Sequence, residues 1–329
     1  MKFYKLLASA SLAFGILMSA AEAAEPIFGT GDYVVTVANP TYALGKGPRI
    51  AIDEAHHNYQ TSEDRFKGFA DLMAADGAQV SALREKFSAT SLKNIDVLVI
   101  CNALSKKNYD EKQTINKWKL PAPSAFSDDE VAALSDWVSN GGSLLLISDH
   151  MPFPNAIETL AASFGIITQV NFAFDASFTY KPGDMNEMAF HAEAKPKAGI
   201  LHPGTSVVMG RNKSENIPFV VSFTGSAFRI APGVEHTPIL ELGKGTKVAW
   251  PSDHMDISLA TPFSSGEGFL QGATLNFGYG RVAMFGEASM FSVNYAEWAN
   301  YYPTGFHNPD APHNKQFALN VVHWLSGKL

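Results

Sequence analysis

The sequence predicts an α/β domain with an open, doubly wound, flavodoxin-like sheet, mostly parallel, that carries a β-rich insertion. Three observations lead there. Short runs rich in β-branched residues and Leu are apolar throughout rather than alternating, as strands covered on both faces are. Segments with an apolar period near 3.6 residues lie between them. Strands that alternate with helices need right-handed crossovers, and these build a parallel sheet.

The chain of 329 residues opens with "MKFYKLLASASLAFGILMSAAEAAEP". Lys2 and Lys5 precede an apolar run, and Ala21-Glu22-Ala23 closes it. That is the layout of a secretory leader, so residues 1–23 are expected to be a signal peptide removed on export to the periplasm or the medium. The rest, 24–329, is expected to be a single domain. No later run of about 18 apolar residues exists, so no membrane span is expected after cleavage.

The first strand is "RIAID", 49–53. In "SEDRFKGFADLMAADG", Phe66, Phe69, Ala70 and Met73 share a helix face, with Ser62 as the expected N-cap and Gly77 as the stop. "AQVSAL", 78–83, is a second strand and "DVLVICNA", 96–103, a third. "SDDEVAALSDWVSNGG" is a helix whose Ser127 and Glu130 match the capping box. "SLLLISDH", 143–150, is the fourth strand. Between about 166 and 262 no helix period is convincing, and pieces such as "TSVVMG", "IPFVVSFTG", "PILELG" and "TKVAW" read as short strands of the insertion. "GRVAMFGE", 280–287, is a late strand, and "NKQFALNVVHWLSG" is a closing helix. Ser-Asp-His-Met occurs twice, at 148–151 and 252–255, in unlike surroundings.

With 25 basic and 32 acidic residues the formal charge is −7, and no basic cluster stands out. Nucleic acid is therefore excluded as an expected partner. Cys101 is the sole cysteine, so no intramolecular disulfide can form. A small-molecule or saccharide ligand is the partner expected, and oligomeric state is not legible in the sequence.

Open parallel sheets bind ligands beyond the carboxyl ends of their strands. Here those ends are rich in titratable and amide groups: Asp53, Glu54, His56, His57 and Asn58; Cys101 and Asn102; Asp149 and His150; Glu287, followed by Ser289. Asp53, Glu54, Asp149 and Glu287 are the candidate catalytic acids and bases. Asn58, Asn102 and Ser289 are candidate ligand contacts. His56, His57, Asp149, His150 and Glu287 offer an N/O set suited to zinc or a similar divalent ion, and no other cofactor is expected. Plainer roles compete. Asp53 can cap a helix, and adjacent His56 and His57 cannot both face one cleft in extended backbone. Cys101 reads as a small core residue.

The order "RIAID", helix, strand, "DVLVICNA", "LSDWVSNGGSLLLISDH" and "GYGRVAMFGEASMF" resembles the class I glutamine amidotransferase-like superfamily. "WVSNGGSLLLI" and the last helix are most similar to uncharacterised bacterial and trehalose-utilisation-type members. The resemblance covers most of 48–165 and 270–329. It implies the doubly wound fold. It also implies a Cys on the turn after the "GGSLLLI" strand and a His after the late strand, where this chain has Asp149-His150 and Glu287. Glutamine-directed thiol chemistry is therefore not expected. Two hydrolase readings stay open, metal-assisted and carboxylate acid–base, with a non-catalytic ligand-binding or assembly domain of the envelope as the alternative.

Overall fold

A computed structural model describes residues 33–110, 118–178, 184–193, 199–252, 257, 260–296 and 299–329. The expected leader and most of the second Ser-Asp-His-Met lie outside the described residues. Strands β1 (Arg49–Asp53), β2 (Gln79–Leu83), β3 (Val97–Cys101) and β4 (Ser143–Ile147) are joined by the late strand Gly280–Phe285. Their order across the sheet is β2, β1, β3, β4, late strand, all parallel. This is the order 2-1-3-4-5 of flavodoxin-like sheets, with the switch point between β1 and β3.

Strand alternation divides the core in two. Ile50, Ile52, Val99, Cys101, Leu145, Ile147 and Phe285 join one core, under helices Lys67–Ala75 and Asn314–Leu325. Ala51, Leu98, Ile100, Leu144, Leu146 and Met284 join the other, under Asp128–Ser139 and Glu158–Ser163. Full burial on both faces explains the unbroken apolar runs.

The β-rich additions extend this same sheet. Beyond the late strand come Leu270–Phe277, Thr237–Glu241, Gly199–Leu201, Met188–His191 and Phe219–Ser222, and Phe228–Ile230 branches off Leu270–Phe277 to pair with Ile166–Thr168, so that twelve strands form one mixed sheet among the described residues. A separate three-stranded sheet pairs Thr246–Ala249 with Phe263–Ser265 and Phe172–Asp175.

Two local expectations are corrected. Ser62 does not cap the first helix, which begins at Lys67 after Phe66 with no side-chain cap. The Glu54 carboxylate takes both the Ser62 amide, at 3.0 Å, and its hydroxyl, at 2.6 Å, and holds that segment in turns. "TSVVMG" is not a strand: Thr205 caps the short helix Ser206–Met209 by accepting from the Val208 amide. The Ser127–Glu130 capping box is present as expected.

Candidate functional site

Cys101, Ile147 and Phe285 lie side by side in the last register row of β3, β4 and the late strand. The chain beyond them carries Asn102, Ser148-Asp149 and Gly286-Glu287. The row thus places Asp149 beside Glu287. Asp149 Oδ2 accepts the Ala288 amide at 3.3 Å, and Oδ1 accepts the His150 amide at 2.7 Å. Glu287 is fully buried and accepts the Ser289 amide on Oε1 at 2.7 Å and the Met290 amide on Oε2 at 2.9 Å. Asp149 keeps 8% of its surface exposed, so of the two it is the one that meets solvent.

Burial, and then the Asp149 charge, push the Glu287 carboxyl up to about 8, against the pull of the backbone amides of Met290, Ser289 and Phe223. The pair therefore holds a proton at neutral pH. Burial and the same two carboxylates raise the Cys101 thiol well above its ordinary range. It stays an S–H group and is no nucleophile.

A second cluster sits at the end of β1. Asp53 is fully buried, and its Oδ1 accepts from His56 Nδ1 at 2.9 Å. His56 Nε2 bonds Glu130 Oε1 at 2.8 Å on the far side of the ring. The ring lies between Phe87 and Phe126, centroids 4.4 and 4.7 Å away, and both of these belong to the second core. Burial opposes the imidazolium, but hydrogen bonds and charge from Asp53 and Glu130 outweigh it and raise the His56 pKa. Burial likewise opposes the Glu130 carboxylate, yet His56 and Ser127 hold it down to about 2.

Hydrogen bonds connect the two clusters. Asn58 Nδ2 donates to Asp53 Oδ2 at 3.1 Å and to the Cys101 carbonyl at 3.3 Å. Asn102 Oδ1 accepts the Asp149 amide at 2.7 Å. β1 and the late strand are nevertheless three strand spacings apart, about 14 Å at roughly 4.8 Å each. Asp53 and Glu287 therefore cannot act on one bond.

The remaining candidates face elsewhere. Glu54 pairs with Arg84 at 2.9 Å and braces Ser62. His57, in left-handed backbone at φ 51°, tilts against the Tyr109 ring, and the Ser289 amide serves Glu287. His150 Nδ1 lies 2.8 Å from the Met151 carbonyl, and its ring stacks on Phe172 at 4.8 Å. The expected metal-ligand set is thus not assembled. Both ring nitrogens of His56 are taken by carboxylates, and among the described residues no three His, Cys, Asp or Glu side chains could hold an ion. These residues do not fit a divalent metal.

Sequence reasoning missed two partners. Glu130 reads only as a capping residue, because its tie to His56 spans 74 positions. Gln271 carries a faint signal: it is an amide in the buried part of the strand Leu270–Phe277, whose other amide, Asn276, is exposed.

No protein-family description and no curated protein matches the sequence. Solved structures that resemble it include the "mmIFT52 N-terminal domain", 13% identical, covering 84% of this chain and 97% of that one, with a TM-score of 0.52. A putative thua-like protein from Bacteroides uniformis is 12% identical over 86% of this chain and 93% of its own, with a TM-score of 0.47. A β-galactosidase from Bacillus circulans sp. alkalophilus is 8% identical, covering 86% of this chain but 31% of that one, with a TM-score of 0.44. Of these three, the first exceeds 0.5, and at such identity it speaks for the α/β fold alone.

Proposed function

We propose that the chain is an exported hydrolase of small neutral ligands, saccharides foremost, that works through the Asp149–Glu287 carboxyl pair without a metal. The observation that supports this is the unequal pair itself: a fully buried carboxyl raised to about 8 beside a second carboxyl that reaches the surface. Environments that separate two carboxyls in this way are how acid and base roles are divided. Asp149 is the base that meets water and ligand. Glu287 holds the pair's proton and keeps a second charge out of the site.

The test is a panel of chromogenic glycosides and esters, assayed with and without chelator. Chelator-insensitive turnover that falls by about 10²–10⁴-fold in Asp149→Asn is the expected result. Loss of activity on chelation, with recovery on adding metal, would reject it. A second reading, ligand binding without turnover, draws on the fact that both Glu287 oxygens already accept backbone amides. Ligand-induced stabilisation with no hydrolysis across the panel would favour that reading.

A further inference from the structure

The inner side of Glu287 is closed by a loop from the β-rich region. Thr224 and Gly225 are left-handed in succession, at φ 79° and 78°. For Thr, branched at Cβ, that is a strained conformation. The loop lies so close to Gly286-Glu287 that a Cβ at position 225 would meet the Gly286 carbonyl at 2.3 Å and Glu287 Cβ at 2.7 Å. The Ser226 amide donates to the Gly286 carbonyl at 2.6 Å, and its hydroxyl to the Ser148 carbonyl at 2.9 Å. The Phe223 backbone lies close enough to the Glu287 carboxyl to pull its pKa down.

Gln271 Nε2 holds this loop by donating to the Thr224 carbonyl at 2.8 Å and the Ser226 carbonyl at 3.1 Å. Its Oε1, like Ser148 Oγ, is buried without a hydrogen-bond partner. A residue present only to fill space would be apolar here, because the unmet acceptor destabilises the fold.

We infer that Gln271 is a positioning residue that holds the strained Thr224–Ser226 loop as the inner wall of the Glu287 carboxyl. This deepens the carboxyl-pair reading and rests on it. The titratable groups that face Glu287 are Asp149 beyond β4 and Cys101 at the end of β3. The loop supplies no ionisable side chain, so it acts by excluding water. Burial is the larger influence, and opening the wall therefore lowers the carboxyl's proton affinity.

The experiment follows Glu287 without substrate, through the infrared carbonyl band of its protonated carboxyl across neutral to alkaline pH. Glu287→Gln identifies the band. Gln271→Met keeps the bulk and removes both amide donors. It should move the titration down by about one pH unit or more. Adding Thr224→Gly, which takes left-handed backbone without strain, should bring it at least half-way back. A folded Gln271→Met protein that titrates like wild type overturns the inference, and so does a shift that Thr224→Gly leaves in place. If Gln271→Met does not fold, Ser226→Ala, which cuts the tie to Ser148, decides instead: a downward shift supports the wall, and an unmoved titration overturns it. A titration that moves in a protein with no turnover would remove the hydrolase reading and leave the role of Gln271 standing.

Discussion

The chain buries carboxylates at two places along one sheet edge and treats them in opposite ways. At the end of β1, Asp53 and Glu130 enclose His56, and every charge has a counter-charge within hydrogen-bond distance. At the ends of β4 and the late strand, the Asp149 and Glu287 carboxyls accept hydrogen bonds from backbone amides, and the Cys101 thiol lies near both. The first arrangement is satisfied when ionised, and the second only when one member is neutral. Compensated charge is what a structural clamp needs, whereas uncompensated charge is costly unless it is used. The clamp belongs to the second core and the pair sits over the first, so the two can be perturbed separately.

His56→Ala tests this contrast most severely. It strands two buried carboxylates and should cost about 3–5 kcal/mol in urea denaturation at neutral pH. A loss no greater than that of an ordinary surface substitution would show that the clamp holds little.

Glu287→Gln should behave in the reverse sense. Because the folded state raises this carboxyl from 4.5 to about 8, the folded protein binds the extra proton between those values. Wild-type stability therefore falls as pH rises through that interval. The amide variant should escape the fall and become the more stable protein above about pH 8, by an amount on the order of a few kcal/mol. Parallel denaturation curves at every pH would remove the distinction between the clusters.

Glu130→Gln sharpens it further. Glu130 is held at about 2 from an ordinary 4.5, so its contribution is present above 4.5 and lost as pH falls toward 2. The raised His56 adds stability below 6.5 that fades as pH climbs through its folded value. The clamp is thus strongest from about pH 4.5 to 6.5. The variant should lose about 1–2 kcal/mol there, with a flatter acid limb by calorimetry. Ser127→Ala should cost about 1 kcal/mol, the worth of its cap, and leave the alkaline limb unchanged.

Much of this architecture was legible in the residues. The unbroken apolar runs located β1, β3, β4 and the late strand, because a strand buried on both faces has no polar side to show. Ser127 and Glu130 announced their helix through a contact three residues long. The strand ends did bring Asp149 and Glu287 together, since register follows from parallel pairing. What stayed hidden depends on separations the sequence does not display. His56 finds Glu130 rather than a metal, Glu54 turns to Ser62 and Arg84, and Gln271 reaches Thr224 across 47 positions. "TSVVMG" misled because two Val suggest a strand, while a Thr hydroxyl on the Val208 amide starts a turn of helix.

Cys101 gives the molecule a built-in clock. It is the chain's only thiol, and it lies sealed directly beneath the unequal pair. An alkylating reagent can reach it only when that patch of the sheet edge breathes. The speed at which the protein becomes labelled therefore times that opening, and a molecule that binds over the Asp149–Glu287 pair should slow the labelling.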